Sequence, residues 1–124
     1  MKMVLDDAAD LNMIGAYAPG EVRIRGAVHS TGLLVYPRRI EADCPIRFLE
    51  QLANIDATSL PEEAPDILII GTGEHQRFPP ASALRGLIEA RIGFELMDNA
   101  AACRTFNILL SEGRKAALLL LADD

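Results

Sequence analysis

Two short loops hold the side chains best suited to chemistry. The first, Gly71-Thr72-Gly73-Glu74-His75-Gln76-Arg77, follows an apolar run; the second, Asp98-Asn99, precedes a helix that carries Arg104. Backbone N–H groups in a glycine turn can face an anion, a histidine can move a proton or ligate, and an arginine can grip a carboxylate or phosphate at two points. Gly71, Thr72, Gly73, His75, Arg77, Asp98 and Arg104 are therefore the candidate ligand-binding residues. The glycines fall short of a nucleotide signature. A P-loop needs a later Gly-Lys and a Ser or Thr, and a dinucleotide fingerprint needs a third glycine where this chain has Gln76. The same glycines also serve as a plain turn at a strand exit, and His75 as a solvated loop histidine, so no catalytic residue is assigned. Cys103 stands more than a turn inside its helix beside an apolar line, which reads as a buried thiol without the cation or helix N-terminus that activates one. Cys44 and Cys103 have no CxxC partner, so no metal centre, redox dithiol or cofactor is expected.

The elements that must position these loops are legible from periodicity. Asp66 to Ile70 is short, apolar and closed by glycines, as a strand buried on both faces of a parallel sheet would be. Proline suits the first turn of a helix, and Pro79-Pro80 predicts one from Pro80 to Ile92 with Leu84, Leu87 and Ile88 on one face and Gly93 as its stop. Phe94 to Met97 reads as a strand, with Asp98 or Asn99 capping a helix that runs to about Glu112. Ala102, Phe106 and Leu109, joined by Cys103 and Leu110, form its apolar line; Arg104, Asn107 and Ser111 form a polar line. Ala116 to Leu121 is a last strand. Strands alternating with such helices predict a parallel β-α-β-α-β unit.

Ahead of that unit, Met13–Ala18, Glu21–Arg25 and Thr31–Tyr36 are strand-like segments separated by Pro19-Gly20 and Gly26, which predicts an antiparallel meander. Val22 and Ile24 should face a core, and Arg23 and Arg25 the opposite side. Arg38 to Ala42 is expected as an edge strand, 46–54 as a helix with Phe48, Leu49, Leu52 and Ala53 buried, and 56–65 as a connecting loop. A mixed sheet or two packed sheets follows. Residues 1–12 read as a loose acidic arm and 13–124 as one α/β domain.

With 124 residues the chain can bury roughly two-thirds of its unfolded surface as one domain. The net charge of −6 disfavours general binding to phosphate backbones, so nucleic acid is not expected as a partner. After Met1-Lys2 come Asp6 and Asp7 rather than an apolar leader, and the longest apolar run, Ala116–Ala122, is far below the roughly 20 residues that span a bilayer. A soluble, cytoplasmic protein that does not span the membrane is the expectation.

Beyond these readings, the chain resembles a family of small bacterial and archaeal proteins of unknown function, the Mth-type α/β domain, related to a mitochondrial factor for assembly of respiratory complex I. Ile69-Ile70-Gly71-Thr72-Gly73, the proline before the second helix, Gly93 to Asp98, and Ala101 to Arg114 carry the resemblance. Within the last block Thr105, Asn107, Leu109, Glu112 and Arg114 fall where the family pattern has them. The resemblance runs from about Met13 to Leu121 and implies a three-layer α/β domain with a mixed sheet. It also implies a role in biogenesis of a membrane-embedded respiratory complex through protein contacts. Family members often carry a tryptophan after the third strand; this chain has none, which removes the expectation of a contact near Ile40 to Cys44. The resulting expectation is a protein-binding adaptor or assembly factor, with Arg104, Asn107 and Ser111 as contact residues and an exposed apolar patch of several hundred Å². The alternative is a small-molecule-binding protein or enzyme using the loop after the 66–70 strand. An apolar edge strand also makes a homodimer an expectation.

Overall fold

In chain order the strands are β1 (Ile14–Ala18), β2 (Glu21–Ile24), β3 (Ala27–Ser30), β4 (Leu33–Val35), β5 (Ile40–Glu41), β6 (Ile67–Gly71), β7 (Gly93–Met97) and β8 (Ala116–Leu120); the α-helices are α1 (Arg85–Glu89) and α2 (Asn99–Ser111). The computed structural model describes residues 10–42, 44–54 and 65–123. The acidic arm, through residue 9, and the 56–65 loop, through residue 64, lie outside them. Asn12 is already part of the fold: it is buried, its N–H donates to Pro37 O (2.8 Å) and its amide to Tyr36 O (2.9 Å).

β8 is buried at all positions and β6 at all but its first, because both lie inside a sheet covered on two faces. The order is β5-β4-β8-β6-β7, with β6 parallel to both β7 and β8, and β4 antiparallel to β8. Side chains alternate across this sheet. Ile69, Leu118 and Leu120 meet α2 and the meander through Phe106, Leu110, Val22 and Ile24. Leu68, Ile70, Leu119 and Leu121 meet Leu52, Leu87 and Ile92 of the opposite layer. This is the expected three-layer α/β domain, a meander followed by a parallel β-α-β-α-β unit. Each of the fully buried Leu and Ile side chains contributes about 1.5–3 kcal/mol by leaving water.

Three local readings are corrected. The meander's third strand is Ala27–Ser30, and the segment expected in that role instead enters the larger sheet as β4. β3 is short and largely exposed, so no hydrophobic alternation announces it. It is reached through Arg25-Gly26, both left-handed (φ 50° and 82°), between the paired Ile24 and Ala27, the geometry of a type I′ turn. The expected 46–54 helix is a 3-10 helix over Leu49–Asn54, opened by Gln51, whose side chain accepts from Arg47 N–H (2.8 Å) and Phe48 N–H (2.9 Å). The expected 80–92 helix is a 3-10 turn, Ala81–Leu84, followed by the short α1. Arg91 rather than Gly93 ends it. Arg91 adopts φ 60°, its N–H donates to Ile88 O and that of Ile92 to Leu87 O (both 3.0 Å), a double closure that favours glycine at this position.

α2 matches its expectation closely. Asp98 is the cap, its carboxylate accepting from Ala101 N–H (2.8 Å), and Gly113 (φ 76°) closes the other end. Ala102, Cys103, Phe106 and Leu110 form its buried face.

Candidate functional site

Gly71, Met97 and Leu120 pair at the carboxyl ends of β6, β7 and β8, so the loops leaving those strands converge on one edge. Such edges are where open α/β sheets place ligands. The first turn of α2 stands behind it, and its first residue, Asn99, is 1% exposed.

Asn99 ties four segments together. Its N–H donates to Gly73 O (2.8 Å), and its side-chain oxygen accepts from Gly73 N–H (3.1 Å). Its amide donates to Leu121 O (3.0 Å) and to the Tyr17 hydroxyl (3.3 Å). Tyr17 in turn donates to the Glu74 carboxylate. The glycines of the loop make room for this arrangement: a Cβ on Gly71 would overlap the side-chain oxygen of Asn99, and one on Gly73 (φ 101°) would overlap the Asp123 carboxylate. Gly73 is also left-handed, a conformation that glycine adopts without cost.

The backbone N–H groups of Thr72, Gly73, Glu74 and Arg77 have partners within the fold. Thr72 N–H donates to Met97 O (2.8 Å), Gly73 N–H to Asn99, and Glu74 N–H to both oxygens of the Asp123 carboxylate (3.3 Å each). Thr72 is fully buried; its hydroxyl donates to His75 O (2.6 Å) and accepts from Arg77 N–H (3.0 Å), while the Arg77 Nε donates to Thr72 O (3.2 Å). The loop is thus wound around Thr72. His75 is exposed beside it, and Asp98 is half-buried as the helix cap. These candidates share one edge. Arg104 is exposed farther along α2, and no hydrogen bond or ion pair among the described residues joins it to the loop.

Burial, reinforced by the Glu74 carboxylate, pushes the Tyr17 hydroxyl up to about 12, so it gives a hydrogen bond at neutral pH and does not act as a base. Burial likewise pushes the Cys103 thiol up to about 12, against a smaller opposing pull from Arg104, so it is no nucleophile near neutrality. Among the described residues no group of three or more His, Cys, Asp or Glu is placed to hold a metal ion, and no helix is long and apolar enough to cross a membrane.

The polar line of α2 divides. Asn107 grips β1, accepting from Ile14 N–H (2.7 Å) and donating to Ile14 O (2.9 Å). Arg104 and Ser111 remain on the outside, with the Ser111 hydroxyl turned to Ile108 O (2.7 Å). Between them Ile108 is 57% exposed. Sequence reasoning did not single out Ile108, although its spacing from Arg104 and Ser111 placed it on that face. Nor did it find Tyr17, Glu74 or Asp123; they are distant in sequence, and only the folded topology joins them.

The chain belongs to the family described as protein of unknown function (DUF498/DUF598), which matches residues 14–121. It is 36% identical over 108 residues to an uncharacterized protein of Rhodobacter capsulatus, covering 87% of this chain and 82% of that one. It is also 36% identical over 56 residues to NADH dehydrogenase [ubiquinone] 1 alpha subcomplex assembly factor 3 of Xenopus tropicalis, covering 45% of this chain and 31% of the frog protein. A Bordetella pertussis protein solved by NMR and described as a Mth938-like domain superposes with a TM-score of 0.70 at 27% identity, over 93% of this chain and 89% of that one. The anticipated resemblance is therefore shown, with a distant similarity to an assembly factor.

Proposed function

We infer that the chain is a cytoplasmic, protein-binding adaptor or assembly factor for a respiratory membrane complex. The single observation that carries this reading is the similarity to the frog assembly factor, which spans less than half of either chain. The outer face of α2 is the contact surface in this reading. Arg104, Ile108 and Ser111 present a cation, an exposed apolar side chain and a hydroxyl at helical spacing, while Asn107 holds β1 against the same helix. Arginine is among the residues that most often carry the binding energy of protein contacts.

A second reading draws on the convergence of Tyr17, Glu74, Asn99 and Asp123 where the strands end. In it the chain is a small-molecule-binding protein or enzyme, and Gly71, Thr72, Gly73, His75, Arg77, Asp98 and Arg104 serve the ligand. An entering anion would compete with the Asp123 carboxylate for the Glu74 N–H.

Affinity capture of the tagged protein from its own cells, in gentle detergent, separates the two. Recovery of respiratory-complex subunits that is lost in Arg104→Glu/Ile108→Asp, with an unchanged melting temperature, supports the adaptor. Recovery of the chain alone, with a small molecule retained through purification and lost in Asp123→Arg, overturns it in favour of the second reading.

A further inference from the structure

We propose that the amino-terminal edge of the large sheet, opposite the edge described above, docks on an anionic phospholipid surface through Arg25, Arg91, Arg114 and Lys115. These four side chains come from all three layers. Arg25 is at the tip of the β2–β3 turn, beyond Ile24, whose pairing partner Ile14 is held by Asn107 on the second half of α2. Arg114 and Lys115 follow the end of α2 and lead into β8, and Arg91 leads into β7. All four are exposed, and none forms an ion pair among the described residues. Asp66, Glu89 and Glu112 lie exposed on the same side of the molecule, where the β4–β5 turn adds Arg38 and Arg39, the latter paired with Glu41, so cations outnumber carboxylates there, whereas Glu21, Glu74, Asp98 and Asp123 lie toward the other end with Arg47 and Arg77. The charges therefore give the molecule a direction. Exposed cations spread over turns from three layers suit a plane better than a peptide, which a groove would clasp.

A second, independent observation concerns the backbone. Among the described residues the only non-glycine positions with positive φ are Arg25 and Arg91. Arg25 is the first residue of a type I′ turn, where asparagine or glycine is favoured, and Arg91 occupies the helix-closing position that favours glycine. Arginine costs backbone energy at both places, and both arginines project at the same edge. Strain retained in this way marks side chains kept for contact rather than for folding.

The test is co-sedimentation of the full chain with vesicles of phosphatidylcholine and phosphatidylglycerol in equal amounts, with pure phosphatidylcholine vesicles as the control. Binding to the anionic vesicles is expected at low ionic strength, with loss at about 1 M salt, where charges are screened beyond about 3 Å. In Arg25→Asn/Arg91→Gly the partition coefficient should fall about 30-fold, roughly fivefold for each cation removed. Its melting temperature should equal or exceed the wild type, because both replacements suit left-handed backbone. Absence of wild-type binding overturns the proposal; so does a double variant that still binds like the wild type, or one that melts well below it. The vesicles contain no protein, so the result is independent of the adaptor reading.

Discussion

Asn99→Ala should be among the most destabilising single changes outside the apolar core. The alanine keeps the helix and its Asp98 cap but removes the acceptor for Gly73 N–H and the donor for Leu121 O, both at buried residues. A buried polar group left without its partner costs about 1–3 kcal/mol, so two such groups cost about 3–4 kcal/mol together. For a domain of this size that lowers the melting temperature by roughly 12–16 °C, at about 4 °C per kcal/mol. Urea unfolding with an unchanged m-value is the assay. The structure supplies an internal check. Gly71→Ala should be costly alone, because its Cβ overlaps the Asn99 side chain, and nearly harmless beside Asn99→Ala, where only the movable end of Leu120 remains close. The cycle should show a coupling of about 2 kcal/mol. A loss below about 1 kcal/mol for Asn99→Ala, or additive effects in the cycle, would refute the reading of Asn99 as the hub of this edge.

Asp98→Ala should lower stability by about 1 kcal/mol as the loss of a helix cap, read in the same urea melts. Asn107→Ala should cost about 2 kcal/mol by removing both bonds to Ile14, and should speed amide hydrogen exchange in β1 more than in β6. Ile108→Ser, at an exposed site, should change stability by no more than about 0.5 kcal/mol while weakening capture of a partner. For pH, folding holds the Cys103 thiol protonated up to about 12, above its ordinary value of 9.0. The folded state therefore keeps a proton that the unfolded state gives up. Stability is full below about pH 9 and falls as pH rises toward 12, and Tyr17 adds to the decline from 10.0 upward. Urea midpoints measured from pH 8 to 10 should slope downward, and Cys103→Ala should flatten the slope between 9 and 10.

What the sequence disclosed followed the strength of its periodic signals. β6, β8 and α2 carry long apolar runs or a clean helical stripe, and a capping Asp98 and closing Gly113 bound α2 at residues whose chemistry is diagnostic. The 80–92 helix is expected too long because Leu84 and Leu87 do pack on the core at helical spacing, whereas Ile88, expected beside them, is exposed, the early turns form 3-10 geometry and Gly86 lies within α1. No propensity argument anticipates an arginine as the closing residue. β3 was missed because a short, solvent-facing strand needs no apolar face. The edge bearing Gly71 and Asp98 was found, yet its organising residue, Asn99, was read only as a possible cap. Its other partners come from β1 and from the end of β8, at sequence distances over which periodicity carries no information.

The residues through which the chain resembles its family explain why that resemblance is informative about architecture first. Gly71 and Gly73 admit Asn99 and Asp123, Asp98 starts α2, the Thr105 hydroxyl donates to the Met97 sulfur (3.4 Å), and Asn107 fastens β1 to the helix. Leu109 packs on the same core, and Arg114 N–H donates to Leu109 O (3.0 Å) in the turn that leads into β8. Each of these residues joins one segment to another, and none needs a ligand to account for its identity. Side chains such as Arg104, Ile108, Arg25 and Arg91 have no comparable duty inside the fold. Arg25 and Arg91 carry a backbone cost as well. Function in this chain is therefore best sought on its outer surfaces, where a side chain's identity is not already explained by what it holds together.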